Sequence, residues 1–169
     1  MVAKNDLTPE EVREMFDYDP STGVLSWRKP AGRWGRIPAG TVAGWHGGDT
    51  RYVQLLVGKK KMWAHRAAFI HYHGKSPEGS VDHINGDIKD NRIANLRDVP
   101  HSINSHNHRK ARVSNLSSGL LGVSRNHKGW RARIVVDGKE HCLGTFPTPE
   151  EAHSAYLKAK RSLHPGCTI

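Results

Sequence analysis

Cysteines and long apolar runs are both scarce in this chain, and each scarcity excludes a class of protein. Only Cys142 and Cys167 are present among the 169 residues, too few for a disulfide framework or a multi-cysteine zinc site. No apolar run reaches the roughly 18 residues of a membrane span, and the first residues lack the apolar stretch of a signal peptide. We therefore expect a folded cytoplasmic protein with no membrane partner, in which both cysteines are ordinary packed or surface thiols.

Acidic residues are also scarce, since 16 Asp and Glu stand against 26 Lys and Arg, and the net charge is +10. This surplus favours a polyanionic partner, usually nucleic acid, over a merely basic surface. Residues 21–80 contain ten basic and two acidic residues, whereas residues 81–100 contain three basic and four acidic ones. Carboxylates inside a polyanion-binding protein repel phosphate unless a cation lies between them. We therefore expect metal chemistry in residues 81–100.

Capping and turn signals divide the first hundred residues into short elements. Thr8, Pro9 and Glu11 predict a helix start with a capping box. Hydrophobic patterns predict strands at 24–27, 52–57, 60–63, 80–84 and 96–99, and helices at 64–73 and 101–108. The glycine-rich segment 30–50, which contains Trp34 and Trp45, lacks the Lys and Ser or Thr of a P-loop and predicts turns between short strands.

The tip of the hairpin predicted over residues 52–63 carries three consecutive lysines, Lys59, Lys60 and Lys61. Such a cluster either forms a solvated edge that discourages aggregation or contacts phosphate. The sequence leaves both interpretations open.

The last fifty residues predict three strands and one helix. The strands are expected at 121–125, 130–136 and 140–146, with a strong hairpin signal at Asp137 and Gly138. Thr148 begins a helix whose apolar face is formed by Ala152, Ala155, Tyr156, Ala159 and Leu163. Three strands packed on one amphipathic helix can close a small core.

The middle strand of this group alternates in polarity. Trp130, Ala132, Ile134 and Val136 are expected to face the helix, while Arg131 and Arg133 face outward. The arginine face can enter a major groove, where arginine reads guanine and binds phosphate. We expect this face to be extended by Arg125, Lys128 and Lys139.

A basic and then small, polar segment lies between the two halves and contains Arg109, Lys110 and Arg112. This composition is typical of a linker. We predict an α+β chain with one domain over residues 1–108, a basic linker over 109–117 that also contacts DNA, and a second domain over 118–169.

Hydrolysis of a phosphodiester requires a base that activates water, a group that neutralises charge on the phosphate and a group that helps the leaving oxygen depart. The acidic segment contains residue types that can meet these requirements. His83 is a base that works near neutral pH, and Asp82 with the amide of Asn104 offers hard ligands for Mg. Neighbours in a regular strand face opposite sides. Asp82 and His83 can therefore share a site only where the strand ends or distorts, and Asn85 and Gly86 supply that break.

This segment resembles the HNH nuclease family, in the branch of phage homing endonucleases, over roughly residues 10–108. The motif residues are Asp82-His83-Ile84-Asn85-Gly86, Asp90-Asn91-Arg92, Asn95-Leu96-Arg97 and Asn104, with Ala64-His65-Arg66 upstream. The resemblance implies a ββα-metal core in which His83 is the general base and Asn95 braces the loop. It also implies that Asp82 and Asn104 hold one divalent ion. Many members have histidine at the position of Asn104, and this departure favours Mg or Mn over Zn.

Residues 117–165 resemble the Apetala-type, ethylene-response DNA-binding domain, which also occurs attached to phage HNH enzymes. The matching residues are Gly122-Val123, Trp130-Arg131-Ala132, Leu143-Gly144-Thr145-Phe146, Glu150-Glu151-Ala152 and Ala155-Tyr156. The resemblance implies DNA contact by the sheet. Trp130 is either a core residue or a residue that contacts DNA.

Together these patterns predict a metal-dependent DNA endonuclease of the homing type, acting on double-stranded DNA in the cytoplasm, or in the host cytoplasm if phage-encoded. The alternative is a non-catalytic DNA-binding protein with a decayed nuclease centre, and dimerisation stays open. Arg92 and Arg97 either clamp phosphate or pair with nearby aspartates. The other histidines, which are predicted to be surface or hydrogen-bonded groups without a catalytic role, include His65, His101, His106 and His108.

Overall fold

The computed structural model describes residues 7–46, 52–105, 111, 115 and 117–168. The chain divides into two compact units, Met1–His101 and Ser102–Ile169. No helix in the described ranges has the length and apolar character needed to cross a membrane. Most of the predicted linker, 109–117, lies outside the described residues, and its role stays a prediction.

The first unit is built from short antiparallel strands around one central helix. Its helices are α1 (Pro9–Met15) and α2 (Ala64–His73). Its strands are β1 (Phe16–Asp19), β2 (Val24–Trp27), β3 (Trp45–His46), β4 (Val53–Val57), β5 (Lys60–Trp63), β6 (Ser80–His83) and β7 (Leu96–Val99). They form three small sheets, ordered β1-β2, β3-β4-β5 and β6-β7.

Local capping chemistry sets the helix boundaries of this unit. Thr8 Oγ1 accepts a hydrogen bond from the Glu11 amide at 3.2 Å, and the Glu11 carboxylate accepts one from the Thr8 amide at 2.8 Å. The predicted capping box is therefore confirmed. Helix α2 ends at Gly74, which has a φ of 68°, a left-handed conformation that favours glycine.

One apolar cluster joins α2 to the strands around it. Ala67, Ala68 and Ile70 of α2 are buried, and the cluster extends to Val81 and Leu96 in the β6–β7 hairpin. Burial of these side chains stabilises the unit because it removes apolar surface from water. The hairpin that contains the acidic motif is thereby fixed on the core.

The second unit has the predicted order of three strands followed by a helix. Strands β8 (Val123–Asn126), β9 (Gly129–Val136) and β10 (Lys139–Phe146) form an antiparallel sheet ordered β10-β9-β8. Helix α4 (Pro149–Leu163) begins after Thr148, whose side chain accepts from the Glu151 amide. A short helix, α3 (His101–Ser105), precedes this sheet in the chain. The chain thus combines helices with small sheets, which is compatible with an HNH nuclease fold.

The predicted apolar face of α4 is wrong at its C-terminal end. Leu163 is 45% exposed, whereas Lys160 is only 1% exposed and His164 is buried. The buried positions follow a spacing of four residues from Ala152 through Tyr156, so the next turns place Lys160 and His164 inward. The Lys160 ammonium lies 5.9 Å from the Tyr156 ring, and His164 Nε2 lies 2.8 Å from the Val135 carbonyl oxygen.

Strand β8 begins at Val123 and not at residue 121, because Gly122 packs against the helix. Gly122 has a φ of 75°, and a Cβ atom there would lie 2.0 Å from the Tyr156 ring. This close approach excludes any side chain at the position.

Candidate active site

The β6–β7 hairpin carries Asp82 and His83 on adjacent residues of one strand. Asp82 pairs with Arg97 and His83 with Leu96, so the two side chains leave the strand on opposite faces. The strand ends at His83, where the Gly86 amide donates to the His83 carbonyl oxygen at 3.0 Å. The predicted break at Asn85 and Gly86 is therefore present directly after His83, while a site shared by Asp82 and His83 stays a prediction.

His83 is a buried imidazole held by an amide oxygen. It is 3% exposed, and its Nε2 lies 3.0 Å from Oδ1 of Asn91. An amide oxygen can only accept a hydrogen bond, so Nε2 carries the proton and donates it. In the tautomer that has its only ring proton on Nε2, the lone pair is on Nδ1.

Asn91 is itself held by the first β-hairpin. Its backbone carbonyl accepts from the Tyr18 hydroxyl at 2.8 Å. Burial raises the pKa of Tyr18 to about 12, with Asp19 and Asp90 adding to the effect, so the hydroxyl remains a neutral donor. From the sequence Asn91 had no predicted role, and its position within the Asp90-Asn91-Arg92 motif was the only signal for it.

Asn95 holds the loop that links β6 to β7 through three hydrogen bonds. Its Oδ1 accepts from the Asn85 amide at 2.9 Å, and its Nδ2 donates to the Asp90 carbonyl oxygen at 2.8 Å. Its backbone carbonyl accepts from the Ile84 amide at 2.9 Å. These are backbone hydrogen bonds of the kind predicted for Asn95, while its part in catalysis stays a prediction.

The two arginines of the motif pair with aspartates. Arg97 Nη2 and Nε lie 2.9 and 3.2 Å from Asp82 Oδ2, and Arg92 Nη2 lies 2.7 Å from Asp90 Oδ2. The hydrogen bond from Arg92 lowers the pKa of Asp90 to about 2. Of the two interpretations that the sequence left open, the structure selects ion pairing within the chain.

Two aromatic side chains for which the sequence predicted no role in the site, His65 and Tyr52, flank the His83 ring. The His65 ring centroid lies 5.0 Å from that of His83 in an edge arrangement, and the Tyr52 ring lies 6.1 Å away. Burial, followed by the effects of His83 and Arg66, lowers the pKa of His65 to about 3. His65 is therefore neutral at physiological pH. The position of His65 in the Ala64-His65-Arg66 string could have identified it as a site residue. It was instead predicted to be a surface or hydrogen-bonded histidine.

The donor set predicted for a metal consists of one carboxylate and one amide. These hard oxygen donors suit Mg or Mn better than Zn, and Asp82 supplies the buried carboxylate. Asn104 belongs to α3 and to the second compact unit, so its pairing with Asp82 stays a prediction. Among the described residues, no three His, Cys, Asp or Glu side chains are grouped so that they could hold a metal ion.

The sheet of the second unit presents the predicted arginines to solvent. Arg131 and Arg133 are exposed, whereas the alternating residues Ala132 and Ile134 are buried. The predicted alternation of this strand is therefore confirmed. Arg133 Nη1 lies 3.0 Å from Glu140 Oε2. The outward face therefore carries an acidic residue together with its two arginines.

The predicted extension of the arginine face is wrong for Arg125 and Lys139. The register pairs Arg125 with Trp130 and Lys139 with Val136, and cross-strand partners share a face. The Arg125 guanidinium lies 4.9 Å from the Trp130 ring centroid. Trp130 is half-buried and packs against the small core of this unit, while DNA contact by its ring stays a prediction. Lys128 is exposed in the turn before β9.

The three hairpin lysines differ in their surroundings. Lys60 Nζ lies 2.7 Å from Glu11 Oε1 and links the hairpin to α1, whereas Lys59 and Lys61 are exposed. The remaining predicted contacts lie outside the described residues, namely Arg109, Lys110, Arg112, His106 and His108.

The comparison with protein families identifies the segment that contains this arrangement. Residues 62–106 match the family model described as HNH endonuclease. No curated protein and no solved structure matches the chain. The matched segment begins in β5 and includes His65, the whole β6–β7 hairpin and Asn104. The buried His83, its partner Asn91 and the loop-bracing Asn95 therefore lie within the segment, residues 62–106, that matches the HNH endonuclease model.

Proposed function

We propose that the chain is a metal-dependent DNA endonuclease of the homing type that hydrolyses a phosphodiester bond in double-stranded DNA. The observation that carries this proposal is the hydrogen bond of 3.0 Å between His83 Nε2 and Asn91 Oδ1, inside a loop braced by Asn95 in the HNH domain. A general base must be oriented towards the proton that it takes, and a hydrogen bond at one ring nitrogen of a histidine sets the role of the other nitrogen.

In this mechanism His83 accepts a proton from the attacking water at Nδ1. Asn91 keeps the other ring proton on Nε2, and the Asn95 hydrogen bonds hold the loop that carries Asn91. Asp82 and Asn104 would hold one Mg or Mn ion. When bound, the ion supplies Lewis-acid stabilisation of the charge on the phosphate and on the departing 3′ oxygen.

The finer architecture is part of the same proposal. Strands β6 and β7 followed by α3 have the chain order of a ββα-metal motif. The second unit would serve as an Apetala-type DNA-binding domain, with Arg131 and Arg133 on the exposed sheet face. Lys59 and Lys61 at the exposed hairpin tip would add phosphate contacts. A phage origin fits this combination.

One observation favours a second candidate, a DNA-binding protein or regulator that does not cleave. The Asp82 carboxylate already has a cationic partner in Arg97 at 2.9 Å. A carboxylate neutralised by arginine is what a centre without a metal ion would also contain. Cleavage activity, and not DNA binding, separates the two candidates.

The test is cleavage of supercoiled plasmid by the full chain with Mg or Mn, with and without EDTA. We expect the wild type to cleave and His83→Ala to lose about 10²- to 10⁴-fold in rate, the range for removal of a general base. Binding should persist in a mobility-shift assay. His73→Ala, which removes an exposed histidine of α2, is the control, and circular dichroism verifies that each variant is folded.

Two results would contradict the proposal. Equal cleavage by His83→Ala and wild type would remove His83 from the mechanism. DNA binding by the wild type without cleavage under any metal condition would favour the regulator.

A further inference from the structure

The loop between Ala31 and Ile37 presents a tryptophan to solvent. Trp34 is 83% exposed. The base of the loop is closed by two backbone hydrogen bonds between Ala31 and Ile37, of 2.8 and 2.9 Å. Ala31 is buried, and Ile37 packs against the core of the first unit. The tryptophan therefore lies at the tip of a loop whose base is anchored.

Folding does not account for this residue. Trp34 has a φ of 60° and a ψ of 28°, a left-handed conformation that is unfavourable for a bulky side chain. An exposed indole ring also gains nothing from burial. Glycine or asparagine would adopt the same backbone at lower cost. Both the exposure and the conformation of Trp34 therefore oppose stability, which points to a role in binding.

The charges around the ring indicate the chemistry of the partner. The Arg33 guanidinium lies 5.8 Å from the Trp34 ring centroid, and Arg36, two residues further along the same loop, is exposed. No acidic residue occurs in residues 20–48. An exposed aromatic ring beside one cation, with a second cation on the same loop, fits nucleic acid, in which a base provides a stacking surface and the adjacent phosphates provide anions.

We propose that Trp34 stacks on a base of the DNA substrate while Arg33 and Arg36 contact the phosphates beside it. The inference rests on the proposed function, since it takes DNA as the partner. Bases in a regular duplex are already stacked on one another, so a ring can enter only where a base step is opened. The loop should therefore favour DNA with an unpaired base over a fully paired duplex.

The experiment compares binding of the full chain to two fluorescent duplexes, one fully paired and one with a single unpaired base. Trp34→Asn removes the ring and suits the left-handed backbone. We expect it to weaken binding to the second duplex about tenfold, as loss of one stacked base does. The salt dependence of binding should not change, because the ring is uncharged. The paired variant Arg33→Gln with Arg36→Gln should lower the salt slope by about 1.8.

The control is Tyr72→Asn, which removes an aromatic side chain exposed on α2 and should leave binding unchanged. Equal affinity of Trp34→Asn and wild type for the unpaired-base duplex would overturn the stacking inference and leave the proposed function intact. A fall in salt slope for Trp34→Asn would also overturn it. A folded wild type that neither binds nor cleaves DNA would instead overturn the proposed function.

Discussion

The β6–β7 hairpin and the sheet of the second unit place their polar side chains in opposite environments. In the hairpin, Asp82, His83 and Asn95 are buried and have partners within the same motif. In the sheet, Arg131 and Arg133 are exposed on a face opposite the core. The difference separates a region suited to chemistry, where geometry is fixed in advance, from a region suited to binding, where side chains can adapt.

The energetic reason lies in solvation. A buried polar group costs stability unless it is hydrogen-bonded, so the hairpin must satisfy each of its polar side chains within the fold. An ion pair in solvent, such as that between Arg133 and Glu140, contributes little, roughly 0 to 1 kcal/mol. Arg133 can therefore exchange the Glu140 carboxylate for a phosphate at a small cost in free energy. The predictions below test this contrast.

Among the substitutions that test this contrast, the largest effect is expected from Asn91→Ala, which removes the acceptor of the His83 Nε2 proton. We expect kcat for plasmid cleavage to fall roughly 10- to 100-fold, the range typical of partners that orient a histidine in a functional site. KM should change little, because Asn91 is buried and is not placed to contact DNA. Asn91→Asp retains an acceptor oxygen and should recover most of the rate. An equal loss in both variants would contradict an orienting role.

A smaller effect is expected from Arg131→Ala with Arg133→Ala on the sheet face. Loss of two phosphate contacts should weaken DNA binding and reduce its salt slope by about 1.8, measured by fluorescence anisotropy at several salt concentrations. The matched variant is Glu140→Gln, which removes the carboxylate that pairs with Arg133 and should strengthen binding slightly. A salt slope unchanged by the double substitution would show that the sheet does not contact the DNA backbone.

The smallest effect is expected from Arg92→Ala at the edge of the hairpin loop. The pKa of Asp90 in the folded protein is about 2, below the usual value near 3.9. The charged Asp90 side chain therefore stabilises the fold at pH values above about 3.9. This contribution is lost as the pH falls through about 2. Without Arg92 the pKa of Asp90 should rise and acid unfolding should begin at higher pH, as followed by circular dichroism.

Arg28→Ala, which removes an exposed ion pair with Asp17, is the control for that titration. Its acid unfolding curve should resemble that of the wild type in the range where Asp90 titrates. An identical curve for Arg92→Ala would mean that the pair with Asp90 does not affect stability.

Local patterns were sufficient to predict most elements. The capping box at Thr8, the helix over Ala64–His73 and the alternation of β9 are confirmed, because each signal is contained within a few consecutive residues. The predictions failed where the direction of a side chain depends on packing between distant elements. Leu163 points away from the core and Lys160 towards it, and the register of β8 and β9 places Arg125 on the face of Trp130.

The same division holds for the candidate site. The sequence by itself determined the motif, the end of the strand after His83 and the presence of residue types that metal-dependent hydrolysis would require. All three depend only on residue identity and spacing. Only the tertiary structure decided that Asn91 Oδ1 lies within hydrogen-bond distance of His83 Nε2, that His65 and Tyr52 flank the His83 ring and that Arg97 pairs with Asp82. These contacts depend on how strands and helices pack, and a hydrogen bond between two side chains forms only when the whole fold brings their atoms within about 3 Å.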